Sequence, residues 1–287
     1  MAGVLSGVRV LDLSRVVSGP WCTQILADLG AEVIKIERPG TGDDTRQMGP
    51  FLEDADRKPT DTTAIFMACN RGKRSVTIDI GTKEGADLVR ELARDCDIFV
   101  ENFKAGALTK FGLDYEGIRS VREDIVYCSI TGFGHSGPYS ERPAYDFIMQ
   151  AMSGLMSTVG PREDAPGSQP MRTAVPLTDM VTGLYATIAI FAALRHRDAT
   201  GQGQFIDAAM LDSAVAFNAN LGVGFLLNGK VPKRNGNTNA VVCPSDVFAA
   251  EDGDIVLAIS NDSQFRSFCK LIDMPELADD ERFRTNT

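Results

Sequence analysis

Hydrophobic and polar positions in the first half of the chain follow two alternating periods. Short runs rich in β-branched residues predict strands at residues 8–13, 31–37, 76–80, 97–101 and 125–130. Apolar positions at helical spacing predict helices at residues 20–29 and 83–94, whereas residues 44–63 have the pattern of a polar loop. This alternation of strands and helices predicts an α/β domain with a largely parallel, Rossmann-like sheet. Such sheets bind their ligands at the carboxyl ends of the strands.

The second half of the chain carries longer helical patterns and then changes character. Residues 145–156 and 180–194 have the apolar content and length of helices. After a polar connector the pattern becomes strand-like, and a turn at residues 251–254 predicts a β-hairpin. We therefore predict a large Rossmann-like domain over residues 1–225. A linker and the start of a smaller α+β domain would occupy residues 226–287.

Composition and charge narrow the class of protein. With 44% hydrophobic and 24% charged residues, the 287-residue chain has the composition of a soluble globular protein. Its formal net charge of −10 argues against binding to nucleic acid or to anionic membranes. The 6 cysteines form no C-x-x-C pair and there are only 2 histidines, so we expect no disulfide framework and no metal site. Residues 181–194, the longest apolar run, are too few to span a membrane, and no signal peptide is evident, so we expect a cytoplasmic protein.

Asp179 lies where the longest apolar helix begins. Pro176 and Thr178 are typical of a helix start, and the free N–H groups and dipole of a helix N-terminus favour an ionised carboxylate. A carboxylate in this position is a candidate nucleophile, but an ordinary helix cap has the same pattern. Asp146 precedes another apolar helix and is a second candidate acid, for which a cap is the simpler interpretation. The residue pattern leaves these interpretations open.

Basic and glycine-rich segments suggest how a ligand is held. Five basic residues are expected in loops at one edge of the sheet, where they suit a phosphate-bearing ligand or form a solvated charge cluster: Arg38, Arg71, Lys73, Arg74 and Lys104. The glycine-rich residues 131–138 offer backbone N–H groups to an oxyanion or simply form a tight turn. The turn after the first strand lacks G-x-G-x-x-G, which argues against nicotinamide binding. Residues 134–137 lack the G-x-S-x-G spacing of a serine hydrolase.

Several segments, taken in order, resemble the family III CoA-transferases, also called the CaiB/BaiF family, which include formyl-CoA:oxalate and carnitine CoA-transferases. These segments are residues 5–13, Gly19-Pro20, residues 29–40, 70–75, 101–103 and 131–134, Asp179-x-x-x-Gly183, and residues 200–204. The resemblance extends over essentially the whole chain and implies a Rossmann-like large domain in an interlocked homodimer. Because chains of this family continue beyond 287 residues, we expect this sequence to lack the C-terminal part.

The resemblance also implies an activity and a set of site residues. The chain would move CoA from an acyl-CoA thioester to a small carboxylic acid, with Asp179 forming first a mixed anhydride and then a thioester with CoA. The residues expected to bind CoA are Val16, Val17 and Ser18 along the pantetheine, and the basic residues Arg38, Arg71, Lys73, Arg74 and Lys104, with Arg38, Lys73 and Lys104 at the phosphates. The residues expected at the oxyanion and substrate loop are Gly132, Gly134 and Tyr145. CoA would be a substrate, and we expect no metal and no tightly bound cofactor.

Two alternative functions stay open at this stage. The family also includes acyl-CoA racemases, which place a histidine near the position of Tyr145 as a second acid or base. A tyrosine there disfavours racemisation, but a 2-methylacyl-CoA racemase-like enzyme remains one alternative. The other is a fragment that binds CoA without catalysis.

Overall fold

We describe residues 3–285 from a computed structural model, and these residues form two groups of regular elements. In chain order the strands are β1 (Arg9–Asp12), β2 (Glu32–Glu37), β3 (Phe51–Glu53), β4 (Pro59–Thr63), β5 (Lys73–Thr77), β6 (Ile98–Glu101), β7 (Val126–Thr131), β8 (Gln204–Ala209), β9 (Ser245–Ala250) and β10 (Gly253–Ala258). The α-helices are α1 (Ser18–Asp28), α2 (Ala64–Asn70), α3 (Lys83–Ala93), α4 (Tyr115–Arg119), α5 (Asp146–Met152), α6 (Leu155–Thr158), α7 (Leu177–Thr200), α8 (Met210–Phe217), α9 (Ala219–Asn228) and α10 (Asp262–Leu271).

Six strands form one parallel sheet in the order β5-β2-β1-β6-β7-β8. Numbered along the chain within this sheet alone, that order is the 3-2-1-4-5-6 arrangement of doubly wound nucleotide-binding folds. The direction of winding reverses between β1 and β6, and such a reversal opens a crevice at the carboxyl ends of the two strands. The predicted α/β fold with a parallel sheet is confirmed.

The four central strands β2, β1, β6 and β7 are buried on both faces, and their successive side chains point to opposite sides of the sheet. On one face Val10 packs in a cluster with Leu26 of α1 and Ile190 of α7. On the other face its neighbour Leu11 packs in a cluster with Val89 of α3. All five side chains are fully excluded from solvent. The apolar face of each helix therefore has a matching face of the sheet, which explains why this pattern folds as three layers.

Two glycines connect α7 to the last strand of the sheet. Gly201 ends the helix with a backbone φ of +74°, a conformation that glycine adopts without strain. At Gly203 a Cβ atom would lie 2.1 Å from the carbonyl oxygen of Ile125, so only glycine allows β8 to enter the sheet beside β7. These contacts give a physical reason for the T-G-Q-G-Q segment at residues 200–204.

Helix α7 is long and apolar enough to cross a membrane by length and composition alone, although the prediction judged the apolar run too short. Half of its most apolar stretch is buried within the protein. The helix packs against α1, β7 and β8 in the core of the sheet. The buried half of α7 is thus that of a core helix, whereas Leu184, Tyr185 and Ile188 on the same helix are exposed.

The described residues divide into two compact units. The first contains residues 3–154 and 173–222, and the second contains residues 155–172 and 223–285. The predicted domain boundary after residue 225 lies three residues beyond this division. Residues 155–172 join the second unit because Arg234 donates hydrogen bonds to the carbonyl oxygens of Ser157 (3.2 Å) and Pro161 (3.3 Å). Within that unit β9 and β10 form the predicted hairpin.

Three segments differ from their predicted structure. Residues 44–63 contain a turn of 3₁₀ helix and the β3–β4 hairpin instead of a polar loop. The helix expected at residues 145–156 is broken by Gly154, whose φ is +86°. Strand β5 begins at Lys73, three residues before the predicted start at residue 76, because residues 73–77 pair with β2. This last shift changes where the basic residues lie.

Candidate active site

A cavity of about 440 Å³ lies at the carboxyl ends of β1, β6 and β7, beside the point where the winding of the sheet reverses. We call it the Asp179 cavity. Of the predicted site residues, the ones that line it are Val16, Val17, Ser18, Lys104, Gly132, Tyr145 and Asp179. The structure therefore brings together residues from the first and second halves of the unit, as expected for a ligand site of a doubly wound fold.

Asp179 is the third residue of α7 and does not cap the helix. The carboxylate of Asp146, the first residue of α5, has this role instead. Its Oδ1 atom accepts hydrogen bonds from the backbone N–H of Thr178 (2.8 Å) and from the Thr178 hydroxyl (2.6 Å), and it lies 3.5 Å from the backbone N of Asp179. Because Asp146 satisfies these N–H groups, the side chain of Asp179 is left to face the cavity.

The environment of Asp179 disfavours its charged form, contrary to the expectation from the helix dipole. The residue is partly exposed to the cavity, but its carboxyl group is largely surrounded by protein. Burial, and then the charge of Asp146, raise the pKa of Asp179 from 3.8 to about 7, against hydrogen bonds from the hydroxyl and backbone N–H of Ser18. A carboxylate that is ionised near neutral pH yet poorly solvated is suited to nucleophilic attack.

Gly183 brings α7 close to the start of α1. A Cβ atom on Gly183 would lie 2.7 Å from the carbonyl oxygen of Ser18 and 3.0 Å from Cδ1 of Trp21. One helical turn before Gly183, Asp179 comes within hydrogen-bonding reach of Ser18. The D-x-x-x-G spacing thus places a carboxyl group at the cavity and a glycine at the helix contact that holds it there.

The backbone of the loop after β1 is held in place by polar side chains from two other loops. Val16 has a φ of +70°, a strained conformation for a β-branched residue. The Asp43 carboxylate accepts its N–H at 3.2 Å, and Asn102 bonds both the N–H (2.9 Å) and the carbonyl (2.7 Å) of Arg15. Lys35 pairs with Asp43 at 2.9 Å and donates to the carbonyl of Ser14 at 2.8 Å.

This fixed loop faces the cavity directly before Ser18. The sequence patterns did not identify Asp43 or Asn102. A usable signal was the position of Asn102, which follows a buried strand at the ligand edge of the sheet.

Several polar groups of the glycine-rich loop at residues 131–138 are engaged within the protein. Thr131 Oγ1 accepts the N–H of Gly134 at 2.9 Å, and Asp207 accepts the N–H of His135 at 2.8 Å. The His135 ring is hydrogen-bonded to the buried Ser129 hydroxyl at 2.7 Å. Gly132 lines the cavity and Gly134 does not. The Gly134 N–H already has an acceptor within the protein. It is therefore not free to donate to an oxyanion, contrary to the prediction for this residue.

The five basic residues do not converge at one edge of the sheet. Because β5 begins at Lys73, Arg71, Lys73 and Arg74 lie at the amino end of a parallel strand, opposite the edge where ligands bind. Arg71 forms an ion pair with Asp28, and Arg74 forms one with Glu32. These three residues therefore line neither the Asp179 cavity nor its neighbour.

Lys73 is buried in the core of the unit. Its ammonium group lies 3.0 Å from Oδ2 of Asp12 and donates to the carbonyl of Pro20 and to Asn70. Burial lowers the pKa of Lys73 against the charge of Asp12. Burial also opposes ionisation of Asp12, but the charges of Lys73 and Lys35 and hydrogen bonds from Ser14 and Thr23 outweigh it and lower the Asp12 pKa to about 2. Every hydrogen-bonding direction of the ammonium group is used within the protein.

Arg38 lies in a second cavity of about 160 Å³ over the ends of β1, β2 and β5, which we call the Arg38 cavity. Its walls contain apolar groups such as Ile36 and Ile78, three cationic residues (Arg15, Lys35 and Arg38) and three acidic ones (Glu37, Asp43 and Asp79). Lys35 is paired with Asp43, whereas no carboxylate among residues 3–285 forms an ion pair with Arg38. Arg15 and Phe103 line both cavities. The two cavities are therefore neighbours along the ligand edge of the sheet. An elongated ligand with an anionic, partly apolar end suits this arrangement.

Some residues of the Asp179 cavity were not predicted: Arg15, Asp44, Met48, Asn102, Phe103, Arg142 and Met210. Asn102 and Phe103 belong to the family-like segment 101–103, Asn102 follows a buried strand, and Arg142 lies three residues before Tyr145. No sequence signal singled out the others. Within residues 3–285, no group of three or more His, Cys, Asp or Glu side chains is arranged to hold a metal ion.

Comparison with known proteins gives a consistent set of relatives. The chain is 48% identical over 283 residues to a succinate–glutarate CoA-transferase of Agrobacterium fabrum, covering 98% of this chain and 70% of that protein. It is 43% identical over 282 residues to the human succinyl-CoA:glutarate CoA-transferase, covering 98% of this chain and 62% of that protein. The chain thus spans about two thirds of the length of these relatives. A crystal structure of a CaiB/BaiF family protein from Brucella suis superposes with a TM-score of 0.87 at 45% identity, covering all of this chain and 74% of that one.

The model of a protein family described as CoA-transferase family III matches residues 5–287, nearly the whole sequence. The solved relative has the same architecture at high sequence identity. The chain belongs to CoA-transferase family III.

Proposed function

We propose that this chain transfers CoA from an acyl-CoA thioester to a short carboxylic acid, with Asp179 as the covalent nucleophile. The observation that carries the proposal is the carboxyl group of Asp179, which faces a cavity of about 440 Å³ and has a pKa raised to about 7. At neutral pH about half of such groups are ionised, and the ionised form is poorly solvated. The names of the relatives from Agrobacterium and human support CoA transfer as the reaction.

The proposed reaction consists of two covalent exchanges. A carboxylate oxygen of Asp179 attacks the thioester carbonyl, the C–S bond breaks, and a mixed anhydride and the CoA thiolate form. The thiolate then attacks the carbonyl carbon of Asp179, which releases the first acid and leaves an aspartyl-CoA thioester. The incoming acid attacks this thioester to form a second anhydride, and the thiolate finally takes the new acyl group. The CoA sulfur alternates between thiolate and thioester without a change of oxidation state, and the last step restores the Asp179 carboxylate, so no redox partner is needed.

The two cavities suggest how the substrate lies in the site. The phosphate end of CoA would occupy the Arg38 cavity, with Arg38 as a cationic contact. The pantetheine would pass Arg15 and Phe103, which line both cavities, and run along Val16 and Val17 to Asp179. Lys104, in the same wall, would contact the CoA chain or its phosphates.

Two further properties belong to this proposal. By their names, the relatives at 48% and 43% identity act on succinate and glutarate, and one at 39% on succinyl-CoA and mesaconate, whereas one at 38% joins acetyl-CoA and oxalate. We propose that both acids of this chain are short dicarboxylic acids, as for the relatives of higher identity. A homodimer, which the family resemblance implies, and a cytoplasmic location, which the sequence predicts, are kept as proposals. The oligomeric state is open to measurement by light scattering of the purified chain.

The decisive experiment replaces Asp179 by Asn and by Ala and measures thioester exchange between succinyl-CoA and glutarate. Both variants should lose turnover by a factor of at least ~10⁴, because the covalent route is removed. Mass spectrometry of the acid-quenched wild-type chain should find a CoA adduct on the peptide that contains Asp179. A variant that retains turnover would refute the nucleophile. CoA binding without adduct or turnover in the wild type would favour the non-catalytic alternative.

A further inference from the structure

The Asp179 cavity contains more positive charge than its own acidic groups neutralise. Its charged lining residues are Arg15, Asp44, Lys104, Arg142 and Asp179. Nη1 of Arg15 lies 3.4 Å from Oδ2 of Asp44, which balances that pair. Across residues 3–285, no carboxylate forms an ion pair with Lys104 or Arg142, although the whole chain has a net charge of −10. Two cations are therefore available to an anionic ligand.

The order of the strands separates the positions of these two cations. Lys104 follows Phe103, which lines both cavities, and comes after β6, which lies two strands from β2 and so one strand nearer to Arg38 than β7. Arg142 belongs to the segment between β7 and α5 and lines only the Asp179 cavity. Strand β7 lies three strands from β2, the strand before Arg38, which is about 14 Å at the usual strand spacing. Arg142 is thus on the far side of the cavity, where the acyl group would lie.

The side chain of Arg142 is oriented by its surroundings. Its guanidinium lies over the ring of Tyr139 at 3.9 Å, and its backbone N–H donates to the Tyr139 carbonyl at 2.8 Å. Four residues later Asp146 bonds the N–H and hydroxyl of Thr178, next to Asp179. The segment that carries the arginine is therefore tied to the helix that carries the nucleophile. A guanidinium held in this way is prepared for bidentate contact with a carboxylate.

We propose that Arg142 binds the free carboxylate of a dicarboxylic substrate whose other carboxyl group reacts with Asp179. This inference rests on the proposed CoA transfer. A dicarboxylic acid joined to Asp179 as an anhydride keeps one negative charge in the cavity, and a carboxylate there is more stable beside a guanidinium than without a partner. Arg142 supplies the missing charge and two parallel hydrogen bonds, so it selects dicarboxylic over monocarboxylic acids of the same length.

The test compares glutarate with pentanoate, which has the same five carbons and only one carboxyl group. With succinyl-CoA as constant donor, the ratio of kcat/KM for the two acceptors cancels the donor half-reaction of a double-displacement enzyme. Arg142→Met should lower the preference for glutarate by about 10- to 150-fold, the effect of losing hydrogen bonds to a charged group. Arg142→Lys should recover part of the preference because it keeps the charge. Arg195→Met, an exposed arginine of α7, is the matched control.

Lys104→Met distinguishes the roles of the two cations. It should lower kcat/KM for both glutarate and pentanoate and leave the ratio of the two values unchanged. If Arg142→Met lowers kcat/KM equally for glutarate and pentanoate, the arginine has only a structural role and the inference is wrong.

Binding measured without turnover distinguishes this inference from the proposed function. Line broadening of ¹³C-labelled glutarate by the wild-type chain should disappear in Arg142→Met and persist in Arg195→Met and in Asp179→Asn. Equal broadening by wild type and Arg142→Met, or none by the wild type, would overturn the role of Arg142. If Asp179→Asn loses turnover but still broadens the signal of labelled glutarate, both proposals are supported independently.

Discussion

The contact between α1 and α7 at Gly183 offers a direct test of how the nucleophile is positioned. In Gly183→Ala the new Cβ atom would lie 2.7 Å from the Ser18 carbonyl oxygen, whereas ordinary contacts begin at 3.4 Å. The helices must therefore separate by about 0.7 Å, and overpacking of this kind costs about 1–3 kcal/mol. The better helix propensity of alanine offsets about 1 kcal/mol of that. We expect the free energy of unfolding to fall by about 0–2 kcal/mol.

The same displacement should have a larger effect on catalysis. Asp179 lies one turn from Gly183 and would move relative to Ser18 by several tenths of an ångström. A misplacement of about 1 Å in a reacting group lowers rates by about 100-fold, so we expect kcat for succinyl-CoA and glutarate to fall by about 10- to 100-fold. The KM for succinyl-CoA should change less than kcat, because Arg38 and Lys104 follow other strands and only Val16 and Val17 of the proposed CoA contacts adjoin α1.

Gly224→Ala is the matched control for this variant. Gly224 lies inside α9, and a Cβ atom there would meet no atom within 4 Å. The control should keep wild-type activity and unfold at the same or a slightly higher temperature. A folded Gly183→Ala chain with kcat within about twofold of wild type would refute the argument that this contact positions Asp179.

Two further predictions concern charge. Asp146→Asn keeps the shape of the residue that caps α7 but removes the negative charge that disfavours ionisation of Asp179. The pKa of Asp179 should therefore fall below about 7, and the rise of activity with increasing pH should occur at lower pH. A folded variant whose activity rises at the same pH as that of the wild type would contradict this. Lys73→Met leaves Asp12 buried without its main partner and should lower the free energy of unfolding by about 3–5 kcal/mol, measured in urea, while Lys83→Met at an exposed pair should have no measurable effect. Asp12 has a pKa of about 2 in the folded chain, below the ordinary 3.8, so its contribution to stability is present above pH 3.8 and is lost as pH falls through 2. Acid unfolding of Lys73→Met should therefore begin at a higher pH than that of the wild type. An unchanged acid midpoint would show that Lys73 does not control Asp12.

The sequence by itself was sufficient to predict the class of fold. In the buried strands and helices of the first 130 residues the apolar positions recur with clear periods, and these periods predict which side chains face a core. The hairpin near residue 252 and the helix that begins before Asp179 were predicted for the same reason. Motif order identified the family and pointed to Asp179. These features are local, because they depend on residues close together along the chain.

Register could not be read from the same patterns. Residues 73–80 alternate well enough to suit a strand that begins at Lys73 or at residue 76, and only pairing with β2 selects the earlier start. That choice moved three basic residues to the edge opposite the ligand and buried one of them against Asp12. The sequence pattern placed these residues near a phosphate because it does not reveal the pairing with β2 or the burial of Lys73 against Asp12.

The environment of the site was likewise decided by the tertiary structure. A helix N-terminus alone would favour an ionised Asp179, but burial and the carboxylate of Asp146, 33 positions earlier in the chain, raise its pKa to about 7. Arg142 and Asn102 join the cavity from different loops. What the sequence determined was therefore the elements and the residue that carries the chemistry. Which groups surround that residue depends on contacts between distant segments, and these form only when the sheet and helices pack.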